Sequence, residues 1–210
     1  MTALHIAVVG AGNIGGTLGR KWVAAGHQVA FGVTDAASPR AQALRSDLGQ
    51  SATIGGIAEA LAASEVVVLA IPGGAIDALL ASSARQLDGK VIVDATNRMG
   101  GGPMNSVAAI SAAAPHAQVY RAFNSLGWEN FADPVFNGVQ ADLFYAGPGD
   151  SAGSGAQATV EQLISDVGLR PVYVGGPDKV DVVDAVASLW FALALGQGKG
   201  RRLAFKTLLP

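Results

Sequence analysis

Three glycines, Gly10, Gly12 and Gly15, follow the spacing G-x-G-x-x-G in the stretch Gly10-Ala11-Gly12-Asn13-Ile14-Gly15. An apolar run, Ile6 to Val9, precedes them, and Ile14, Leu18 and Trp22 follow at helical spacing. Such a strand, turn and helix start can hold an anion with backbone alone. The first glycine permits the sharp turn, the second lets a pyrophosphate approach the main chain, and the third lets helix and strand pack closely. The helix start adds unpaired N–H groups and the positive end of the helix dipole. Gly10, Ala11, Gly12, Asn13 and Ile14 are therefore expected to meet a dinucleotide, with a purely structural glycine turn as the alternative.

The end of the second strand decides which dinucleotide. An NAD site places a carboxylate there for the ribose hydroxyls. Here Val33 takes that position and Thr34 follows, with Arg40 in reach across a short loop. These three favour the 2′-phosphate of NADP(H), while Asp35 argues for NAD. Two further stretches are expected at the sheet edge. Ala70-Ile71-Pro72 ends an apolar strand beside the cofactor, and Asp94-Ala95-Thr96-Asn97 ends the next. Asn97 is read as lining a nicotinamide pocket, and Asp94 either as lining it or as a loop brace. Asn124 and Ser125 can bind a carbonyl or a ring nitrogen, and Trp128 can stack on a flat ring or be buried.

The elements that position these groups alternate strand and helix through most of the 210 residues, which predicts an α/β fold with a Rossmann-like, doubly wound, mostly parallel sheet and a small C-terminal extension. A nucleotide-binding core over 1–122 and an extension over 123–210 are expected, the latter completing an acceptor cleft. Ser38 and Pro39 open a helix as cap and first residue. A helix over Lys179–Leu195 reads as apolar nearly all round, including Val183, Val186, Trp190 and Leu193, so part of it is expected in a homodimer interface.

Composition narrows the classes. The net charge is −2 with no basic run, which gives no footprint for nucleic acid. The absence of Cys removes disulfides, thiol catalysis and cysteine-ligated metals, and His5, His27 and His116 are scattered. No metal site is expected, and His27 reads as a turn residue. The first strand starts near Leu4 and no apolar run is long enough to span a bilayer, so a cytoplasmic protein without membrane contact is expected.

Taken together, the glycine turn, Ala70-Ile71-Pro72, Asp94 to Asn97, Ala122-Phe123-Asn124-Ser125-Leu126-Gly127-Trp128 and the tail Arg202-Leu203-Ala204-Phe205-Lys206 resemble the NADPH-dependent coenzyme F-420 (deazaflavin) reductases, which are short Rossmann-type oxidoreductases. The resemblance runs over almost the full length. It implies NADP(H) as cofactor, the deazaflavin as co-substrate, and hydride transfer between nicotinamide C4 and deazaflavin C5. It places the pyrophosphate on Gly10, Gly12, Asn13 and Ile14, the 2′-phosphate on Thr34, and the nicotinamide against Ile71 and Pro72. Members often carry Arg or Lys after strand two, where this chain has Val33-Thr34-Asp35. No obligatory catalytic side chain is implied.

Rival classes meet obstacles in the residues. No Tyr has Lys four positions on, against short-chain dehydrogenases, and the chain is short for a hydroxyacid dehydrogenase. A reductase of another acceptor (flavin, quinone or imine) and a non-catalytic NADP(H) sensor remain as alternatives.

Overall fold

The computed structural model describes residues 2–150 and 153–208. Strand and helix alternate through the first 121 residues: β1 (His5–Val9), α1 (Asn13–Ala24), β2 (Gln28–Val33), α2 (Pro39–Leu48), β3 (Ala52–Gly56), α3 (Ile57–Ala62), β4 (Val66–Leu69), α4 (Ile76–Leu87), β5 (Val91–Asp94), α5 (Val107–Ala113) and β6 (Gln118–Arg121). Then come α6 (Trp128–Ala132), a small hairpin β7 (Val135–Phe136) and β8 (Val139–Gln140), β9 (Asp142–Ala146), α7 (Ala156–Val167), β10 (Arg170–Gly175) and α8 (Val180–Phe191). Eight strands form one sheet in the order β3-β2-β1-β4-β5-β6-β9-β10. The first six are parallel. β9 runs antiparallel to β6, and β10 lies parallel to β9. The expected α/β, mostly parallel, Rossmann-like sheet is the one observed.

Strand order reverses at β1, with β2 on one side and β4 on the other. Connections therefore leave in opposite directions there and open a crevice at the carboxyl ends, the usual ligand position in such sheets. β1 is buried on both faces. Ile6 and Val8 join Leu18, Trp22 and Phe31 on one side, while Ala7 and Val9 join Val67, Leu69 and Ile92 on the other. This two-sided cover explains its unbroken apolar sequence. Ser38 caps α2 as expected, its Oγ accepting from the Ala41 N–H.

Several elements differ from the sequence reading. β4 stops at Leu69, so Ala70, Ile71 and Pro72 are edge loop rather than strand, although the Ala70 N–H still bonds to the Val9 carbonyl at 2.9 Å. α6 and the hairpin have too few residues to show a periodicity. His27 is buried: its Nδ1 accepts from the Leu4 N–H at 3.1 Å, which leaves Nε2 to face Asp166 Oδ2 at 2.9 Å. The last helix ends as α8 at Phe191 and continues as one wide turn, Ala192–Gly196. The residues expected to need a partner's cover are largely covered by the chain itself. Val183 and Trp190 are buried, Val186 and Leu193 half-buried, because α8 lies on the sheet and the C-terminal tail crosses Trp190, whose Nε1 donates to the Leu203 carbonyl at 2.7 Å. What stays exposed is Val182, Leu189 and Leu195. No described helix is long and apolar enough to cross a membrane.

Candidate nucleotide and acceptor site

β1 delivers the glycine turn to the crevice, and its glycines differ in what excludes a side chain. Gly10 has φ +105°, and a Cβ there would lie 2.6 Å from the Ala70 carbonyl oxygen. A Cβ on Gly15 would collide with the Gly10 carbonyl, so this glycine lets α1 close onto β1. Gly12 has φ −69° and ψ −171°, open to any residue, and a Cβ there meets nothing within 4 Å. Neither backbone nor neighbours require glycine at 12, and its absent side chain leaves the main chain there bare. No side chain caps α1, so the N–H groups of its first turn, from Asn13 to Gly15, border the same space. The residues present thus fit a pyrophosphate.

A concavity of about 240 Å³ continues from the turn along the end of β2. It brings Gly10, Ala11 and Gly12 together with Val33, Thr34, Arg40 and Ile71. The Asp35 carboxylate accepts the Ala37 N–H at 2.8 Å, and the Asp35 carbonyl accepts from Ser38 Oγ at 2.8 Å. Asp35 thereby braces the loop that leads into α2, whose second residue is Arg40. Thr34 and Arg40 are exposed, and Arg40 has no hydrogen-bond or carboxylate partner among the described residues. Arg20, one turn further along α1, is held by Asp47 at 2.6 Å. A second concavity, about 220 Å³, is lined by Ala11, Gly12, Asn13, Arg20, Arg40 and Trp128. Half-buried Trp128 therefore stands with the glycine turn, apart from the Asn124 and Ser125 with which the sequence groups it.

The loop after β4 places half-buried Ile71 against Gly10, while exposed Pro72 opens a 3-10 turn by accepting the Ala75 N–H at 2.9 Å. The other two loops are more occupied than their sequence suggests. Asp94 is buried, and both of its oxygens are taken: Oδ1 by the Thr96 N–H (3.0 Å) and hydroxyl (2.7 Å), Oδ2 by the Ser106 N–H (2.7 Å). It is the loop brace of its two readings. Asn97 is half-buried and both ends of its amide are engaged, Oδ1 by Arg121 at 2.8 Å and Nδ2 by the Asn124 carbonyl at 3.0 Å. Toward a nicotinamide, its expected neighbour, it keeps one N–H and one oxygen lone pair. Asn124 and Ser125 are buried, 3% and 1% exposed.

Arg121 and Asp184 are the residues that sequence reasoning passed over. Arg121 is fully buried, and its Nε donates to Asp184 Oδ1 at 2.8 Å. A signal existed in each case: an arginine closing an apolar strand, and an aspartate on an apolar helix. Neither shows that the other is its partner.

Residues 5–98 match the family described as NADP oxidoreductase coenzyme F420-dependent. Solved structures share the fold more widely. A provisionally assigned F-420 dependent NADP-reductase from Arthrobacter sp. FB24 superposes with a TM-score of 0.83 at 24% identity, over 99% of this chain and 100% of that one. A hypothetical protein from Sinorhizobium meliloti, SMa0349, gives 0.67 at 27% identity, covering 100% and 97%. A reductive aminase from Aspergillus terreus in complex with NADPH gives 0.69 at 20% identity, covering 93% of this chain and 64% of that longer one. No curated protein matches the chain.

Proposed function

We propose that the protein is an NADP(H)-dependent oxidoreductase whose acceptor is planar, with the F-420 deazaflavin fitting best. Gly12 carries this reading: it is unstrained and unobstructed, yet lacks a side chain at the point where a pyrophosphate would touch the turn. The bound pair of cofactors would supply the chemistry, hydride passing between nicotinamide C4 and deazaflavin C5. The chain supplies proximity and orientation. The amides of α1's first turn hold the diphosphate. Thr34 and unpaired Arg40 serve a 2′-phosphate, and Asp35 is tied into its own loop. Ile71 and Pro72 border the nicotinamide.

The edge loops also favour an acceptor that needs no protonation. Asp94 and Asp184, the carboxylates gathered around Arg121, are both spent in hydrogen bonds to neighbours. No free acid stands ready there for an alkoxide or an amine. The test follows deazaflavin absorbance with NADPH deuterated at nicotinamide C4. Label arriving at C5 of the reduced deazaflavin is the expected result. Turnover only with a flavin, quinone or imine transfers the reading to that acceptor; tight NADPH binding without turnover on any of them makes the protein a sensor. We also propose a homodimer through the exposed Val182, Leu189 and Leu195 of the last helix and its wide turn, which light scattering at micromolar concentration checks.

A further inference from the structure

The loop after β5, the end of β6 and α8 meet at one guanidinium. Arg121 donates through Nε to Asp184, through Nη2 to Asn97 Oδ1, and through Nη1 to the carbonyls of Asp94 (3.1 Å) and Thr96. Asp184 then accepts from Asn124 Nδ2 at 3.1 Å and from Asn105 Nδ2 at 2.8 Å. A guanidinium only donates and an ionised carboxylate only accepts. The pair therefore dictates which way each amide is turned. Asn97 gives its oxygen to Arg121, and Asn124 gives its nitrogen to Asp184.

One amide atom of those two side chains is left over. Asn124 Oδ1 is buried and has no partner among the described residues, and neither has the neighbouring Ser125 Oγ. Unmet buried polar atoms are costly and rare in native chains. The backbone that presents them is strained as well. Phe123 sits at φ +59°, a region bulky residues avoid, and its ring is clamped edge-to-face by Trp22 at 5.8 Å and Phe131 at 5.6 Å. Strain of this kind collects at ligand sites.

We infer that Arg121 and Asp184 are positioning residues that fix the Asn124 carboxamide, so that its Oδ1 and the Ser125 hydroxyl form a subsite for a planar N–H donor. This rests on the dinucleotide reading above. Two ligand groups carry that chemistry: the nicotinamide carboxamide and the ring N–H of the deazaflavin. Both protein atoms are closed from solvent, so entry needs an adjoining segment to yield. Residues 98–105 are suited to it. Gly100, Gly101 and Gly102 all have positive φ, and the segment is tied to the network by the bond from Asn105 to Asp184.

The experiment measures dissociation constants for NADP⁺ and for its 3-acetylpyridine analogue, which has a methyl group in place of the amide nitrogen, and then KM for the deazaflavin. Wild type is compared with Asn124→Ala, Ser125→Ala, Asp184→Asn and the Asn124→Ala/Asp184→Asn double variant. If the carboxamide occupies the subsite, wild type prefers NADP⁺ by about 3- to 10-fold, and the preference collapses in Asn124→Ala and in Asp184→Asn. If the deazaflavin occupies it, the analogue ratio stays constant while its KM rises by a similar factor in both. In either case the double variant loses no more than Asn124→Ala alone, because both changes remove the same contact. A ratio and a KM both unchanged in folded Asn124→Ala overturn the subsite. A lowered Tm in Asp184→Asn with ratio and KM intact overturns the positioning role, and should that variant fail to fold, Asn124→Ala and Ser125→Ala still decide the subsite. Wild type that does not bind NADP⁺ overturns the dinucleotide reading itself, and this inference with it.

Discussion

Six consecutive residues, Gly10 to Gly15, make the nucleotide turn, and the atoms that crowd Gly10 and Gly15 come from β1, the turn itself and the loop after β4. The polar wall beyond β5 and β6 is assembled differently. Its central bond joins residues 63 positions apart, Arg121 and Asp184, and through them the wall gathers Asn97, Asn105 and Asn124. The turn faces outward with unpaired N–H groups, whereas the wall is turned inward and nearly saturated. A local motif can present bare backbone to a ligand because the helix geometry already satisfies the rest. A wall built from distant side chains must first satisfy itself, and only what is left over reaches a ligand.

The largest effect separates the two in stability. Arg121→Ala leaves Asp184 and Asp94 without their buried counter-charge, a change worth about 3–5 kcal/mol. Urea denaturation should show that loss, and a variant within about 1 kcal/mol of wild type would mean that the wall contributes little to the fold. Gly12→Val should do the reverse. Its Cβ meets no protein atom and its φ suits any residue, so the melting temperature holds. Nucleotide affinity should fall by at least about a hundredfold, roughly 2.7 kcal/mol, as the side chain takes the space of the diphosphate. Calorimetry finding unchanged affinity in the folded variant would detach the turn from the site.

This contrast also explains what could be read in advance. Gly10 to Gly15, Val33, Thr34 and the Ser38 cap form a local pattern, and the structure gathers the turn, strand end and Arg40 around one concavity. The parallel sheet was legible for the same reason, since each strand carries its own apolar run. Asn97, Asn124 and Trp128 were legible as polar or aromatic edge residues but not in their roles. What Asn97 can offer depends on a guanidinium 24 positions away, and Trp128 is carried to the turn by α6, an element too short for the sequence to announce. The cover over the last helix was not legible, because nothing in its own residues tells that the tail folds back over Trp190.

A second long-range node should fail in acid. Asp142 is buried at the start of β9 and accepts from Arg170, Lys206 and the Thr207 N–H. Burial alone would raise its pKa, but these donors outweigh it and hold the carboxyl well below the usual carboxylate range. A depressed folded pKa means that the contribution is complete above the unfolded value, about 3.9, and is lost as pH falls toward the folded one. At neutral pH Asp142→Asn should cost about 1.5–3 kcal/mol, the range of hydrogen bonds to a charged group. The gap to wild type should narrow as pH drops below about 4. A gap constant from pH 7 to pH 3 would contradict the assignment.

The smallest effect lies on the turn's side. Arg40 is exposed and unpaired among the described residues, so Arg40→Ala should leave the unfolding midpoint unchanged. Arg40 lines both concavities that flank Gly12, from the start of α2 just after the loop that Asp35 braces. A charge-assisted bond to a 2′-phosphate is worth about 1.5–3 kcal/mol, less when solvent screens it, so the preference for NADPH over NADH should fall roughly tenfold. Arg20→Ala is the control: Arg20 shares one concavity but spends its charge on Asp47, so its removal should shift the preference less. Asp35→Asn keeps an oxygen for the Ala37 N–H while removing a negative charge from the same rim, and should raise the preference. Equal affinity for NADPH and NADH in the parent protein would overturn this reading of the strand end, because Val33, Thr34 and Arg40 would then supply no discrimination for any of these variants to change.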